Sequence, residues 1–77
     1  QVYPNPFNGL LNISGLLVHE KNFIRIYNYL GAEVYSEVSL SDKSNIQLNL
    51  NELNAGSYIL SIENKKNTYT KAIFLSR

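Results

Sequence analysis

Leu53-Asn54-Ala55-Gly56-Ser57-Tyr58-Ile59-Leu60-Ser61-Ile62 decides the fold. Its second half alternates, with Tyr58, Leu60 and Ile62 on one side and small or branched residues on the other. A period of two marks a half-buried strand, because successive side chains point to opposite faces of a sheet. Ahead of it, Gly56 supplies the freedom a reversal needs, at a φ above zero that Asn would tolerate better than Val. Leu53 precedes the turn and tucks into the core. The stretch fixes where the chain reverses and which face of the strand is buried.

The same alternation recurs on both sides of it. Ile46-Gln47-Leu48-Asn49-Leu50 alternates without a fault, and Asn51 to Gly56 makes a short crossing with room for one helical turn. Asn64-Lys65-Lys66-Asn67 reads as a hairpin loop, followed by a strand over residues 68–75 rich in β-formers. In that last strand Ile73/Leu75 and Ala72/Phe74 are both apolar, so either face can be core. Toward the start, Phe23 to Asn28 is a strand with Ile24 and Ile26 on one face. Tyr29-Leu30-Gly31 turns the chain, and residues 32–40 run back with Val34, Ser36 and Val38 opposed to Glu33, Tyr35 and Glu37. The spacing makes this a hairpin with a Gly-containing loop. Leu10 to Ser14 is a strand with Leu11 and Ile13 inward. Gly15-Leu16-Leu17-Val18 continues the sheet edge or packs under a loop, and His19 to Asn22 is a polar turn.

Gln1 to Gly9 opens the domain with the only two prolines, Pro4 and Pro6. Each fixes φ and pushes its predecessor extended, which makes a stiff, kinked lead-in anchored by Tyr3 and Phe7. The segment is a rigid edge or a docking surface. About seven strands separated by turn signals, with no helical period, give an all-β chain: a small antiparallel immunoglobulin-like β-sandwich. The expected core is Leu11, Ile13, Ile24, Ile26, Val34, Leu48, Leu50, Leu53, Tyr58, Leu60 and Ile62.

Seventy-seven residues suffice for one domain, 1–77. Such a domain buries roughly 60% of its unfolded surface, for a stability on the order of 4–11 kcal/mol. With Cys 0, no disulfide and no cysteine metal site is available. A net charge of +1 and a single basic doublet, Lys65-Lys66, argue against nucleic-acid binding. No apolar run approaches the ~18 residues of a membrane span. Eleven asparagines sit mostly in or beside turns, where Asn bonds nearby backbone. The chain begins at Gln1 and contains Met 0, so it is expected to be a piece of a longer protein.

Catalysis has no parts to work with. His19 is the only histidine and reads as a solvated turn residue. Glu33 and Glu37 share a strand face but stand four residues apart, about 13 Å along a strand. Paired glycosidase carboxylates need about 5–9.5 Å. No Gly-rich phosphate loop exists, and neither a cofactor nor a metal is expected. Asn12-Ile13-Ser14 fits the glycosylation sequon, a short and common pattern. Tyr27, Tyr29 and Tyr35 pair across strands or form an exposed aromatic cluster, the platform of a carbohydrate-binding or adhesive module.

Three landmarks stand in order: Tyr3-Pro4-Asn5-Pro6-Phe7, then Ile24 to Asn28 leading into Gly31-Ala32-Glu33-Val34, then Leu53 to Leu60 followed by Lys71 in the terminal strand. This set closely resembles the type A C-terminal sorting domain of cargo proteins of the type IX secretion system of Bacteroidota, over nearly the whole chain. The resemblance implies a non-catalytic export address carried on the C-terminal side of a covalently linked passenger. It implies partners in the secretion machinery: an outer-membrane translocon, shuttle and sortase components. The passenger would pass through the periplasm to the cell surface or the medium, with cleavage by the sortase falling before Gln1. Candidate recognition residues under this resemblance are Tyr3, Pro4, Asn5, Pro6, Gly31, Gly56, Lys71, Ile73, Phe74, Leu75 and Arg77. Gly31 and Gly56 are equally well explained as turn glycines. Lys71 either snorkels at an edge or belongs to a face that the machinery reads, with strand addition to the terminal strand as the mode. A sugar-binding or adhesive sandwich and a plain spacer are the rival readings.

Overall fold

A computed structural model describes all 77 residues. Seven strands follow one another without a helix: β1 (Val2–Tyr3), β2 (Leu10–Ile13), β3 (Asn22–Asn28), β4 (Glu33–Ser39), β5 (Ile46–Asn49), β6 (Gly56–Glu63) and β7 (Thr68–Leu75). They form a three-stranded sheet, β1-β2-β5, and a four-stranded sheet, β4-β3-β6-β7. Every strand pair is antiparallel. This is the strand order of an immunoglobulin-like sandwich whose fourth strand has joined the second sheet.

The alternation in the sequence is the alternation of burial. On β6, Tyr58, Leu60 and Ile62 are buried while Ser57, Ile59 and Glu63 are exposed. Leu60 pairs with Ile26 on one side and Lys71 on the other, which centres it in its sheet. Opposite lie Leu11 and Ile13 from β2 and Leu48 from β5, all within one core of 14 side chains.

The connection before β6 crosses from one sheet to the other through a turn, Leu53 N–H to Leu50 carbonyl at 3.1 Å. No helical turn forms there. The Tyr58 hydroxyl donates to the Asn54 carbonyl at 2.5 Å. That is the tyrosine corner of immunoglobulin-like domains, in which the strand's first buried aromatic ties down the crossover it has just left.

Several expectations change. Val34 is 36% exposed and lies outside the core, while Tyr35 packs against it. The register explains the inversion: core-facing Ile26 pairs with Tyr35 and Ile24 with Glu37, so Tyr35, Glu37 and Ser39 lie on the inner side of β4, whereas Glu33, past a bulge, pairs with outward Tyr27. β4 is the edge strand of the four-stranded sheet, packed against a sheet of only three strands, and Glu37 remains exposed on it. In β7 the ambiguity resolves toward Ile73 and Leu75, 3% and 0% exposed. Val2, Phe7 and Leu16 also join the core, and Leu53 packs at its margin. Residues 15–18 form a loop, not a strand, with Leu16 beneath it.

Asn22, read from sequence as part of a polar turn, is 1% exposed at the start of β3. Its amide donates to the carbonyls of Leu17 (2.8 Å) and Glu20 (3.2 Å). Its oxygen accepts from Leu17 N–H (3.2 Å) and the Asn64 amide (3.1 Å). A buried amide persists only when satisfied, and this one fastens two loops to the sheet.

Candidate functional site

Antiparallel pairing directs alternate residues of an edge strand outward. On β7 the even-numbered residues turn their N–H and C=O groups away from β6, toward what should be an open edge. The segment Pro4–Phe7 covers the upper part of it. After β1 the chain leaves the three-stranded sheet and crosses to the other. There the Asn5 amide donates to the Ala72 carbonyl at 3.1 Å and its oxygen accepts from Phe74 N–H at 3.0 Å. One side-chain amide thus replaces a residue of a neighbouring strand. Phe7 continues the seam in its backbone, donating to the Phe74 carbonyl (2.9 Å) and accepting from Ser76 N–H (2.7 Å), a parallel bridge to Leu75. Its ring is 1% exposed and anchors the crossing in the core. Both X–Pro bonds, Tyr3-Pro4 and Asn5-Pro6, are cis.

The first landmark of the sequence and the end of the terminal strand are therefore one structural feature. On β7, open strand-pairing capacity remains only along its lower part, from Thr68 to the Ala72 N–H.

The other candidates gather around this same end. Gly56 pairs with Leu75. Gly31 lies in the β3–β4 turn, where the Asn28 side chain accepts from Leu30 N–H (2.9 Å) and Ala32 N–H (3.0 Å). The Arg77 guanidinium donates to the carbonyls of Asn51 (2.6 Å), Leu53 (2.7 Å) and Leu50 (3.4 Å), stitching the C-terminal residue to the β5–β6 crossover. Ile73 and Leu75 are buried, so in the folded domain only Phe74 of that trio offers its side chain to a partner. Tyr3, Pro4, Asn5 and Pro6 are exposed. Lys71 stands apart, half-buried on the core-facing side of β7 opposite Leu60, and none of the ion pairs includes it.

Electrostatics elsewhere are modest. Arg25 reaches Glu63 at 3.5 Å and Glu33 at 3.7 Å, and Lys65 meets Glu20 at 2.9 Å, all at the surface. Such pairs contribute about 0–1 kcal/mol each. The Tyr35 hydroxyl is pushed up to about 12 by burial, reinforced by its hydrogen bond to the Glu37 carboxylate and by that charge. No group of three or more His, Asp or Glu side chains could hold a metal ion.

The tyrosines form no shared platform. Tyr29 is 84% exposed on the turn and Tyr27 lies on the outer sheet face, whereas Tyr35 is on the inner face. Asn8-Gly9 has the composition of a surface turn dipeptide. Gly9 is in fact buried against Asn51 and accepts from Leu50 N–H at 2.7 Å. Nothing in a single Asn-Gly pair distinguishes a surface turn from a packed one.

The family described as "secretion system C-terminal sorting domain" has a model that matches residues 1–76. No curated protein matches the chain.

Proposed function

The chain belongs to the family of secretion system C-terminal sorting domains, and on that premise we propose that residues 1–77 are the terminal domain of a longer passenger. A domain of this family is a C-terminal sorting signal for type IX secretion, and it implies export to the cell surface or the medium. No helix is long and apolar enough to cross a membrane. The family is one of export signals rather than of enzymes.

In the proposed sequence of events, the passenger precedes Gln1 and crosses the periplasm with this domain folded. The outer-membrane translocon and shuttle of the machinery read the domain. A sortase component then cuts ahead of Gln1 and the passenger is anchored or released. The observation that carries this reading is the match through residues 1–76. A physical counterpart supports it. The Pro4–Phe7 crossing and Arg77 lock both termini into the fold, so the domain can keep its shape behind unrelated passengers. Of the candidate residues, Pro4, Pro6 and Phe74 lie on the surface at this seam, with Lys71 further along β7. Ile73, Leu75, Gly31, Gly56, Asn5 and Arg77 act by holding that surface in place.

The test is a reporter carrying an export signal peptide at its N-terminus and residues 1–77 at its C-terminus, expressed in a type IX-competent cell. The expected result is reporter on the surface or in the medium, and its loss when the translocon is deleted. Reporter retained in the periplasm of the competent cell overturns the reading.

A further inference from the structure

The outer face of the four-stranded sheet is divided. Across its lower half the registered rows are Arg25–Ser61–Thr70 and Phe23–Glu63–Thr68, tied by the Arg25–Glu63 pair. The upper half carries one charge, Glu33, which pairs with Tyr27 at the β4 edge and lies 3.7 Å from Arg25. Tyr27, Ile59 and Ala72 stand side by side in register, with Phe74 beside Ser57 in the next row. Ile59 is 44% exposed and Phe74 47%. Above them the β3–β4 turn holds out Tyr29 and Leu30, 84% and 76% exposed. Between turn and sheet lies a depression of about 290 Å³ walled by Tyr29, Ile59 and Ala72. An apolar patch this concentrated on a small domain marks a surface that something covers.

The position of the N-terminus narrows what that is. Gln1 is held by Ser14 and lines one cleft with Asn64 and Asn67 of the β6–β7 hairpin. β6 runs from the patch, at Gly56, to that hairpin, after Glu63. A segment preceding Gln1 thus leaves from the end of the long axis opposite the patch, and the molecule extends 33 Å along that axis. The segment that leads to the passenger therefore leaves the domain away from the patch.

We propose that this apolar patch, Tyr27, Tyr29, Leu30, Ile59, Ala72 and Phe74, docks an apolar surface of the outer-membrane secretion machinery. The proposal rests on the sorting reading above, which supplies a protein partner distinct from the passenger. The apolar side chains at its centre disfavour a charged partner surface, since desolvating an unpaired charge against them is costly, and the one flanking carboxylate, Glu33, is already answered by Arg25. The tyrosine hydroxyls at the rim ask for hydrogen-bond partners.

The experiment uses the full reporter fusion in a type IX-competent cell. Leu30→Glu and Ile59→Glu place a charge in the patch. Leu40→Glu places one on an apolar residue, 59% exposed, at the other end of the sheet. Thermal unfolding is measured on the purified fusions. Expected is a loss of surface display of about tenfold or more for the two patch variants, with melting unchanged and the Leu40→Glu fusion displayed normally. Normal display of both patch variants overturns the proposal, as does equal loss in the Leu40→Glu control. Absence of display for the unaltered fusion overturns the sorting reading itself. Two other covers are checked on the purified fusions. A dimer in sedimentation that Leu30→Glu dissolves assigns the patch to a second copy. Flotation with phosphatidylcholine vesicles that Leu30→Glu abolishes assigns it to lipid. Either result overturns docking to the machinery.

Discussion

A Cβ built on Gly9 would stand 2.0 Å from Asn51 Oδ1, and φ there is +125°. Gly56 has φ +148° but nothing within 4 Å of its Cβ position. Both backbones lie where side chains are strained, yet only Gly9 adds a collision. Gly9→Ala should therefore cost more than Gly56→Ala, roughly 2 against 1 kcal/mol, by urea unfolding. Asn51→Ala in the same chain should narrow the gap, because it removes the obstructing side chain. The φ of Gly56 also revises what its turn tolerates. Asn relieves strain near +57°, not at +148°, so Gly56→Asn gains little over Gly56→Val. Tyr35 makes a second residue-scale prediction. Its phenol loses a proton near 10.0 when unfolded and near 12 when folded. A raised pKa means that the folded state holds the proton more tightly. Its contribution is present in full below pH 10 and fades as pH rises through 12. The melting temperature of the parent should fall across that window more steeply than that of Tyr35→Phe, in which the group is absent. Parallel curves would show that neither burial nor the Glu37 contact ties the phenol's proton to folding.

At the scale of elements, the strands were legible wherever one face is buried. Alternation is then a direct copy of burial, as in Ile46–Leu50 and Tyr58–Ile62. Reading failed at the edges. β4 is too exposed for apolarity to identify its inner side, so Val34 was placed inward and Tyr35 outward. The Pro4–Phe7 crossing was legible as stiff, but its destination depends on a contact 69 residues away, Asn5 to Phe74. Periodicity carries no information about such pairs. The crossing yields a prediction. Asn5→Leu removes both of its edge bonds, each worth about 0.5–1.5 kcal/mol. Amide exchange at Phe74 should then accelerate while that at Leu60 tracks only global stability. Equal protection of Phe74 in both proteins would show that Asn5 does not seal the edge. The β5–β6 crossover can be tested likewise. Tyr58→Phe keeps the ring in the core and leaves the Asn54 carbonyl without its donor, for a loss of about 1 kcal/mol. An unchanged urea midpoint would mean that the corner bond adds nothing to folding.

On the scale of the whole molecule, the Pro4–Phe7 crossing and the C-terminus close the sandwich at one end, and this changes how the C-terminus can be interrogated. The sequence showed an apolar terminal strand with a lone lysine. It could not show that Leu75 is fully buried, that Ser76 bonds Phe7, or that Arg77 holds three carbonyls of the β5–β6 crossover. Deleting Leu75 to Arg77 therefore removes a core side chain and two fastenings together. A buried leucine alone is worth about 2–5 kcal/mol, a large part of the 4–11 kcal/mol such a chain has in total. Loss of export after that deletion would report unfolding as readily as lost recognition. Lys71 separates the two. Its stem packs on the inner side of β7 opposite Leu60, and no carboxylate answers its charge. Lys71→Met retains the apolar stem and removes only the ammonium, so melting should shift by no more than about 0.5 kcal/mol. Lys71→Ala also removes the stem and should melt earlier. If the secretion machinery reads the charge, the fused passenger should accumulate in the periplasm with Met as with Ala, despite the difference in their melting. Display that follows the melting order instead, normal with Met and reduced with Ala, would make Lys71 a packing residue and leave recognition to the surface around Phe74.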